Sequence, residues 1–163
     1  MRNLILIGLP GSGKTAVGKL LAARLSLSLA DCDAAVERHW GMTVPEIFAA
    51  AGEEGFRCCE AECLARLCAR NGQVIATGGG AVLRAENRAI LRRSGWVVFL
   101  DRDPDKIMST ICADSRPLLQ EKTVAELSRE RRALYEETAH LTVRADSPEA
   151  AADIIERTWR ENT

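Results

Sequence analysis

The chain has 163 residues, the length of one domain, since domains most often run about 100 to 150 residues. Its 47% hydrophobic and 28% charged residues are enough to bury a core, which excludes wholesale disorder, collagen-like order and low-complexity sequence. Lys and Arg number 22 against 23 Asp and Glu. This balance gives no sign of a nucleic-acid or anionic-membrane partner, and we expect neither.

The chain shows no targeting segment or membrane span. The first apolar run is too short for a signal peptide, and no other run approaches the roughly 18 apolar residues of a span. Its six cysteines form no C-x-x-C pair. We therefore expect a cytoplasmic protein with reduced thiols, and a monomer by default.

The first part of the chain alternates short apolar runs with helical patterns. Residues 3–7 form a continuous apolar run, typical of a strand buried on both faces of a parallel sheet. Apolar side chains then recur at helical spacing from Lys14, and residues 27–30 predict a second strand. Residues 43–46, Thr-Val-Pro-Glu, combine a capping Thr, an early Pro and a third-position Glu, which predicts a helix start.

The same alternation continues to the end of the chain. Residues 53–70 predict a helix with an apolar stripe, and residues 74–76, 96–100 and 141–144 predict strands. Further helix starts are predicted at Asp103, Thr123 and Ser147. Strands alternating with helices predict an α/β fold, a single three-layer α/β/α domain over residues 1–163 around a five-stranded parallel sheet, with ligands at the carboxyl ends of the strands.

Residues 8–15 form a phosphate-binding loop in sequence terms. They read Gly-Leu-Pro-Gly-Ser-Gly-Lys-Thr, match G-x-x-x-x-G-K-[ST] at every fixed position, and lie between a predicted strand and helix. The loop N–H groups can cradle phosphates, Lys14 can reach the β- and γ-phosphates, and Thr15 can bind Mg²⁺. The alternative is a glycine-rich turn in which Thr15 caps a helix; the glycine spacing disfavours a dinucleotide loop.

An acidic residue that helps to hold the metal should end another strand. Residues 74–76 run into Thr77 and glycines, without an acid, whereas Asp31 and Asp33 follow the second strand. One could hold a metal-bound water and the other could meet a substrate hydroxyl. The alternative reading of Asp33 is a plain N-cap for a helix over residues 34–39.

Seven segments resemble the shikimate kinases in order and spacing across nearly the whole chain. They are residues 8–15, 31–33 (Asp-Cys-Asp), 43–48, 55–57 with Glu60, 76–80, 116–119 (Arg-Pro-Leu-Leu) and 131–135. The resemblance implies a fold like that of the nucleoside monophosphate kinases, with substrate-binding helices over residues 33–60 and a mobile lid over residues 111–122. It implies transfer of the γ-phosphoryl of ATP to the 3-hydroxyl of shikimate, a step towards chorismate and the aromatic amino acids, with Mg²⁺.

The resemblance also implies site residues. The implied shikimate ligands are Asp33, Arg57, Gly78, Gly79, Gly80 and Arg131. The implied ATP ligands are Gly11, Ser12, Gly13, Lys14, Thr15, Ala16 and Arg116. The implied metal-site residues are Thr15 and Asp31, and the implied catalytic residues are Lys14, Asp33 and Arg116.

The chemistry of shikimate, a ring with one carboxylate and three hydroxyls, agrees with this set. Planar guanidinium groups such as those of Arg57 and Arg131 suit a carboxylate. Glycines allow a close approach of backbone N–H groups. Taken singly, each arginine, Arg116 included, could instead be a solvated surface residue, and the three glycines could form only a mobile turn.

Two points stay open in the sequence. Many members of the family carry a further basic residue near the start of the lid, whereas residues 108–114 read Met-Ser-Thr-Ile-Cys-Ala-Asp here. The adenine contact is therefore not assigned. Spacing to Leu134 and Tyr135 favours Arg131 over Arg132 as the carboxylate ligand, but leaves both open.

Two other functions compete. One is another small-molecule kinase on the same scaffold, acting on gluconate or a nucleoside monophosphate. The other is a nucleotide-binding regulatory protein that has lost phosphoryl transfer. Such a protein should lack some of Lys14, Asp33, Arg57, Arg116 or Arg131, and all five are present.

Overall fold

Five short apolar strands form one parallel sheet. The computed structural model describes residues 2–109 and 122–163. The strands are Asn3–Ile7 (β1), Ser28–Asp31 (β2), Gln73–Ala76 (β3), Gly95–Leu100 (β4) and Leu141–Val143 (β5). They lie in the order β2-β3-β1-β4-β5, and every pairing is parallel. The predicted five-stranded parallel sheet is confirmed, with β1 at its centre.

Helices connect the strands and cover the sheet. They are Lys14–Leu25 (α1), Cys32–Trp40 (α2), Val44–Cys68 (α3), Ala85–Ser94 (α4), Pro104–Met108 (α5), Val124–Thr138 (α6) and Pro148–Asn162 (α7). The predicted helix starts after Thr43, Asp103, Thr123 and Ser147 are all observed, and each of these side chains accepts a backbone N–H of the first turn. Capping signals therefore located these helices.

The two faces of the sheet pack against different helices. Leu4 and Leu6 of β1 lie in one cluster with residues of α1 and α7. Ile5 and Ile7 lie in a second cluster with residues of α3, α4, α5 and α6. This alternation with a period of two gives the predicted three layers, because successive strand side chains point to opposite faces.

The helix predicted over residues 53–70 and the helix starting after Thr43 are one element, α3. It is broken at Gly52, where φ is 71° and ψ is −177°. Only glycine adopts this φ without strain, so the chain turns there between two helical segments. Helix α4 was not predicted, because its N-cap residue, Arg84, makes no capping hydrogen bond and so gives no start signal.

Strand ends differ from the sequence prediction by single residues. The second strand was predicted over residues 27–30, but β2 is Ser28–Asp31, so Asp31 is its last residue. Strand β4 begins at Gly95 rather than Trp96 because Gly95 pairs with Asn3. A Cβ at Gly95 would lie 2.5 Å from the Asn3 carbonyl oxygen, so this pairing needs glycine.

The described cysteines are free thiols. They are Cys32, Cys58, Cys59, Cys63 and Cys68. Burial raises the pKa of the thiols of Cys32, Cys59, Cys63 and Cys68. Within residues 2–109 and 122–163, no helix is both long enough and apolar enough to cross a membrane.

Candidate active site

The loop between β1 and α1 bends at glycines. Gly8, Gly11 and Gly13 have φ values of 151°, 78° and 94°. A Cβ on Gly8 would lie 2.8 Å from the carbonyl oxygen of Leu100. The loop thus wraps closely against the end of β4, in a backbone conformation that residues with side chains rarely adopt.

The Lys14 ammonium lies inside this loop. Its Nζ donates to the carbonyl oxygens of Gly8 and Leu9, both at 2.7 Å, and lies 3.4 Å from Ser12 Oγ. Lys14 is only 8% exposed. The positive charge is therefore held at the concave side of a loop whose backbone can cradle phosphate.

Thr15 and Asp31 meet beside the loop. Thr15 Oγ1 donates to Asp31 Oδ2 at 2.8 Å, and Asp31 Oδ1 accepts the backbone N–H of Ala34 at 3.1 Å. Asp31 is therefore the N-cap of α2, and the alternative reading of Asp33 as that cap is wrong. Asp33 lies instead in the first turn of the helix. The hydroxyl and the carboxylate offer two oxygen donors of the kind that Mg²⁺ prefers.

Two carboxylates converge on the glycines after β3. A Cβ on Gly78 would lie 2.9 Å from Asp33 Oδ1 and 2.7 Å from Glu60 Oε2. Glu60 is fully buried. Burial raises the pKa of Glu60, against the lowering effect of the Arg57 charge and hydrogen bond. Gly78 is thus needed because any side chain would collide with the acids around it.

Arg57 contacts both Glu60 and the last of the glycines after β3. Arg57 Nη1 lies 2.9 Å from Glu60 Oε1, and Arg57 Nη2 lies 3.6 Å from Glu53 Oε1. A Cβ on Gly80 would lie 2.3 Å from Arg57 Cζ. The guanidinium therefore sits directly against the backbone of Gly80, held by an ion pair one helical turn along α3.

Arg131 and Arg132 point to different places. Arg132 forms two hydrogen bonds with Asp101, of 2.7 and 3.1 Å, and one of 3.0 Å with Glu136. Arg131 is 3% exposed, and its positive charge lowers the pKa of both Glu60 and Tyr135, although burial raises each pKa more. Arg131, not Arg132, therefore lies with the buried cluster on α6.

Several buried polar atoms of this cluster have no hydrogen-bond partner within the described residues. They are Arg57 Nε, Glu60 Oε2, Arg131 Nε and Arg131 Nη1. Buried polar atoms in proteins are nearly always paired, and an unpaired one calls for an explanation. Three of the four atoms are guanidinium donors, which match the carboxylate and hydroxyl oxygens of a small acidic ligand.

A cleft of about 160 Å³ lies beside the phosphate-binding loop. Its lining includes Ser12, Gly13, Arg102, Asp146 and Pro148. Arg102 Nη1 also donates to the carbonyl oxygen of Gly11 at 3.2 Å. This wall was not predicted from the sequence, in which its only signal is the helix cap at Ser147 and Pro148.

The structure thus brings together Asp33, Arg57, the glycines of residues 78–80 and Arg131, and places Thr15 and Asp31 next to each other. Of the predicted loop residues, Gly11 and Ser12 precede α1, Gly13 is its N-cap, and Lys14 and Ala16 lie in its first turn. Arg116 and residues 111–121 of the predicted lid lie outside the described residues.

Comparison with known proteins decides which family uses such a site. A family model described as shikimate kinase matches residues 10–159. The chain belongs to the shikimate kinase family. A shikimate kinase from Symbiobacterium thermophilum is 47% identical over an alignment of 165 positions that covers 95% of this chain and 95% of that one. Members of this family transfer the γ-phosphoryl group of ATP to the 3-hydroxyl of shikimate, and this chain is an ATP-dependent kinase of that type.

Solved structures agree with the family. The shikimate kinase from Acinetobacter baumannii in complex with shikimate superposes with a TM-score of 0.95 at 37% identity, covering 100% of this chain and 95% of that one. Shikimate kinase from Bacteroides thetaiotaomicron gives a TM-score of 0.88 at 29% identity, covering 98% of both chains. The family accounts for the sheet, its strand order and its flanking helices.

Proposed function

We propose that the buried cluster on α2, α3 and α6 binds shikimate and that the phosphate-binding loop presents ATP to it. The observation that carries this proposal is the pair of buried arginines, Arg57 and Arg131, with unpaired guanidinium nitrogens beside Asp33 and Glu60. The two cradles touch, since a Cβ on Gly79 would lie 2.5 Å from Pro10 Cδ of the phosphate-binding loop. Such proximity is what direct phosphoryl transfer requires.

Arg57 and Arg131 bind the shikimate carboxylate in this proposal. Both are buried, so their charges act in a medium of low dielectric constant and attract an anion strongly. Glu60 neutralises part of this charge and holds Arg57 at a fixed angle. A guanidinium held in this way can meet a carboxylate with two parallel hydrogen bonds.

Asp33 contacts the shikimate hydroxyls and orients the nucleophile. Its Oδ1 would lie 2.9 Å from a Cβ on Gly78, and it follows Asp31, which contacts Thr15, by two residues in the first turn of α2. A carboxylate there can accept the proton of the reacting hydroxyl. The transition state of phosphoryl transfer is loose, so correct placement of the hydroxyl contributes more than strong basicity.

ATP phosphates bind to the backbone N–H groups of residues 11–16, and Lys14 turns from the Gly8 and Leu9 carbonyls to the β- and γ-phosphates. Arg116, outside the described residues, stays a sequence prediction for charge stabilisation of the transferring group. The nucleoside occupies the cleft beside Arg102, Asp146 and Pro148, which adjoins Ser12 and Gly13.

Thr15 and Asp31 hold Mg²⁺ in this proposal. The observation that supports them is the contact of 2.8 Å between a hydroxyl and a carboxylate oxygen next to the phosphate-binding loop. Mg²⁺ usually takes one or two such protein oxygens and keeps water and phosphate oxygens as its other ligands. The ion, when bound with ATP, offsets the negative charge of the phosphates.

We also propose that residues 1–163 act as one kinase domain, monomeric and cytoplasmic. The five described thiols without a disulfide suit a reducing compartment. The exposed large apolar side chains of the described part are Leu29, Trp40, Leu83 and Met108, which are far apart in the sequence. A few exposed apolar side chains are ordinary on a monomeric protein.

The proposal is tested by ADP release from Mg-ATP with shikimate, with gluconate, with nucleoside monophosphates, and without an acceptor. We expect release only with shikimate. Release with gluconate or a nucleotide instead would assign the cluster to another small-molecule substrate. ATP binding without release for any acceptor would favour a regulatory protein that has lost transfer.

A further inference from the structure

Tyr135 connects α6 to the glycines after β3. It is the single tyrosine of the chain, is 1% exposed, and stacks on Phe99 with ring centroids 4.9 Å apart. Its hydroxyl donates to the carbonyl oxygen of Gly79 at 2.5 Å. In the sequence, Tyr135 served only to mark the spacing to Arg131, and the function proposed above assigns it no role.

Gly79 is the point at which the two substrate cradles touch. On one side it packs against Pro10, where a Cβ would come within 2.5 Å of the ring, and on the other it accepts the Tyr135 hydroxyl. Its neighbour Gly80 lies against the Arg57 guanidinium. A peptide group is planar, so the direction of the Gly79 carbonyl also fixes the direction of the Gly80 N–H.

Glycines alone cannot hold that direction. Glycine has access to far more backbone conformations than other residues. Consecutive glycines therefore lose more conformational entropy when their backbone becomes ordered than other residues would. The Tyr135 hydroxyl supplies an anchor from a rigid helix, and its ring is fixed by the stack on Phe99. The anchor acts on the backbone of Gly79 and needs no side chain at residues 78–80.

We propose that Tyr135 is a positioning residue for shikimate. Its hydroxyl orients the peptide group between Gly79 and Gly80, so that the Gly80 N–H and the Arg57 guanidinium face the substrate in one arrangement. This inference rests on the proposed function, in which residues 78–80 and Arg57 bind shikimate. It predicts an effect on shikimate that is separate from any effect on ATP.

The hydroxyl remains a donor throughout the working pH range. Burial raises the pKa of Tyr135 to about 12, although the charge and hydrogen bond of Arg131 act in the opposite direction. The phenol is therefore protonated between about pH 6 and pH 9, and its contribution to shikimate binding should not vary with pH there.

The first test replaces Tyr135 by Phe. Tyr135→Phe keeps the ring and the stack, but it leaves the half-buried Gly79 carbonyl without its donor and also removes the hydrogen bond between Tyr135 and Arg131. We expect the KM for shikimate to rise about five- to tenfold, while the KM for ATP changes less than about twofold. The pH dependence of the shikimate KM should be unchanged.

Thr138→Val is the matched control, because Thr138 is fully buried on the same helix and its hydroxyl donates to the Leu134 carbonyl at 2.6 Å. It should lower the midpoint of thermal unfolding without changing either KM. An unchanged shikimate KM in Tyr135→Phe, or equal increases for shikimate and ATP, would overturn the inference.

A second measurement needs no substitution. Since Tyr135 is the only tyrosine, biosynthetic 3-fluorotyrosine labels this position alone, and its single ¹⁹F resonance should shift when shikimate is added. A resonance that does not move at saturating shikimate would contradict the inference even if Tyr135→Phe failed to fold. If the unaltered protein releases no ADP with shikimate, both the proposed function and this inference are wrong. If the unaltered protein does release ADP with shikimate, the two experiments test the role of Tyr135 alone.

Discussion

Arg57 and Glu60 form an ion pair that is almost closed to solvent, with 7% and 1% of their side chains exposed and 2.9 Å between Nη1 and Oε1. Desolvation of two charges offsets much of their attraction, so such a pair contributes little net stability. Its effect is geometric: the guanidinium is held against Gly80, where it can meet a ligand in one orientation.

The contact between Arg57 and Gly80 predicts the effect of Gly80→Ala. The added Cβ would lie 2.3 Å from Arg57 Cζ, so the guanidinium must move away from its present position. We expect the KM for shikimate to rise at least about tenfold, because a charged hydrogen bond is lost. Steady-state kinetics with each substrate varied in turn would measure this, with ATP as the internal reference.

Gly41→Ala is a suitable control for that experiment. Gly41 has a φ of 65°, so alanine is strained there, but nothing lies within 4 Å of the added Cβ. The variant should lose about 1 kcal/mol of stability and keep both KM values. A tenfold rise in the shikimate KM of Gly41→Ala would mean that a general loss of stability, and not contact with Arg57, is enough to explain the Gly80→Ala result.

Adjacent arginines on α6 provide a second prediction. Arg131→Ala should raise the KM for shikimate about 10- to 100-fold, since it removes a buried charged donor. Arg132→Ala should change that KM less than about threefold and should lower stability, because Arg132 pairs with Asp101 rather than with the cluster. A larger rise in the shikimate KM for Arg132→Ala than for Arg131→Ala would show that Arg132 binds the carboxylate.

Asp33→Asn should lower kcat by about 100-fold or more, because the amide cannot accept the proton of the reacting hydroxyl. The fold should be retained, as judged by circular dichroism and by binding of ATP. Glu37→Gln is the control on the same helix. Glu37 accepts the backbone N–H of Val44, and its substitution by Gln should leave kcat unchanged. Wild-type turnover in Asp33→Asn would remove the role assigned to it.

Thr15→Val should weaken the response to Mg²⁺. The valine keeps the shape of threonine but removes the oxygen that contacts Asp31. We expect the Mg²⁺ concentration for half-maximal activity to rise about tenfold or more, and Thr15→Ser to restore it. Equal Mg²⁺ requirements in the Val and Ser variants would place the ion elsewhere.

Asp101 predicts a pH dependence of stability. Burial favours a higher pKa, but hydrogen bonds and charges from Arg144 and Arg132 outweigh it, so the pKa of Asp101 lies below its ordinary value of 3.8. The ionised carboxylate therefore stabilises the fold above that value, and the stabilisation is lost as the pH falls through the folded pKa. Asp101→Asn should cost about 1 to 2 kcal/mol at neutral pH.

Urea unfolding of the unaltered protein and of Asp101→Asn, at neutral and at acidic pH, would measure the free energy of unfolding of each. The difference in this free energy between the two proteins should become smaller below the ordinary pKa of the Asp101 carboxyl. Glu60 has a raised pKa and the opposite pH dependence, but it is present in both proteins and cancels. Asp153→Asn removes an exposed ion pair with Arg24 and should change stability at neither pH. A difference for Asp101→Asn that stays constant with pH would contradict the prediction.

Local signals in the sequence were sufficient for the sheet and for most helix starts. The strand before Gly8 and the caps at Thr43 and Thr123 were correct because each depends on neighbouring residues only. Helix α4 has no cap signal at Arg84 and was missed. The two helices predicted after Thr43 and over residues 53–70 correspond to the segments of α3 on either side of the break at Gly52.

The site was predicted less completely, for a physical reason. Sequence spacing indicated Arg57, Asp33 and the glycines of residues 78–80, but it could not show that a Gly78 side chain would collide with both Asp33 and Glu60. Nor could it separate Arg131 from Arg132, since the choice depends on Asp101, 31 positions away from Arg132. Contacts between distant segments appear only once the chain is folded.

Within residues 2–109 and 122–163, the distribution of thiols favours selective labelling at one position. A thiolate, not a thiol, reacts with alkylating reagents, and burial keeps Cys32, Cys59, Cys63 and Cys68 protonated at neutral pH. Cys58 is the exposed thiol of the described part, and Arg84 Nη2 lies 3.5 Å from its sulfur. A fluorophore attached there would be next along the chain to Arg57, the proposed carboxylate ligand, and its emission could follow the arrival of substrate in real time.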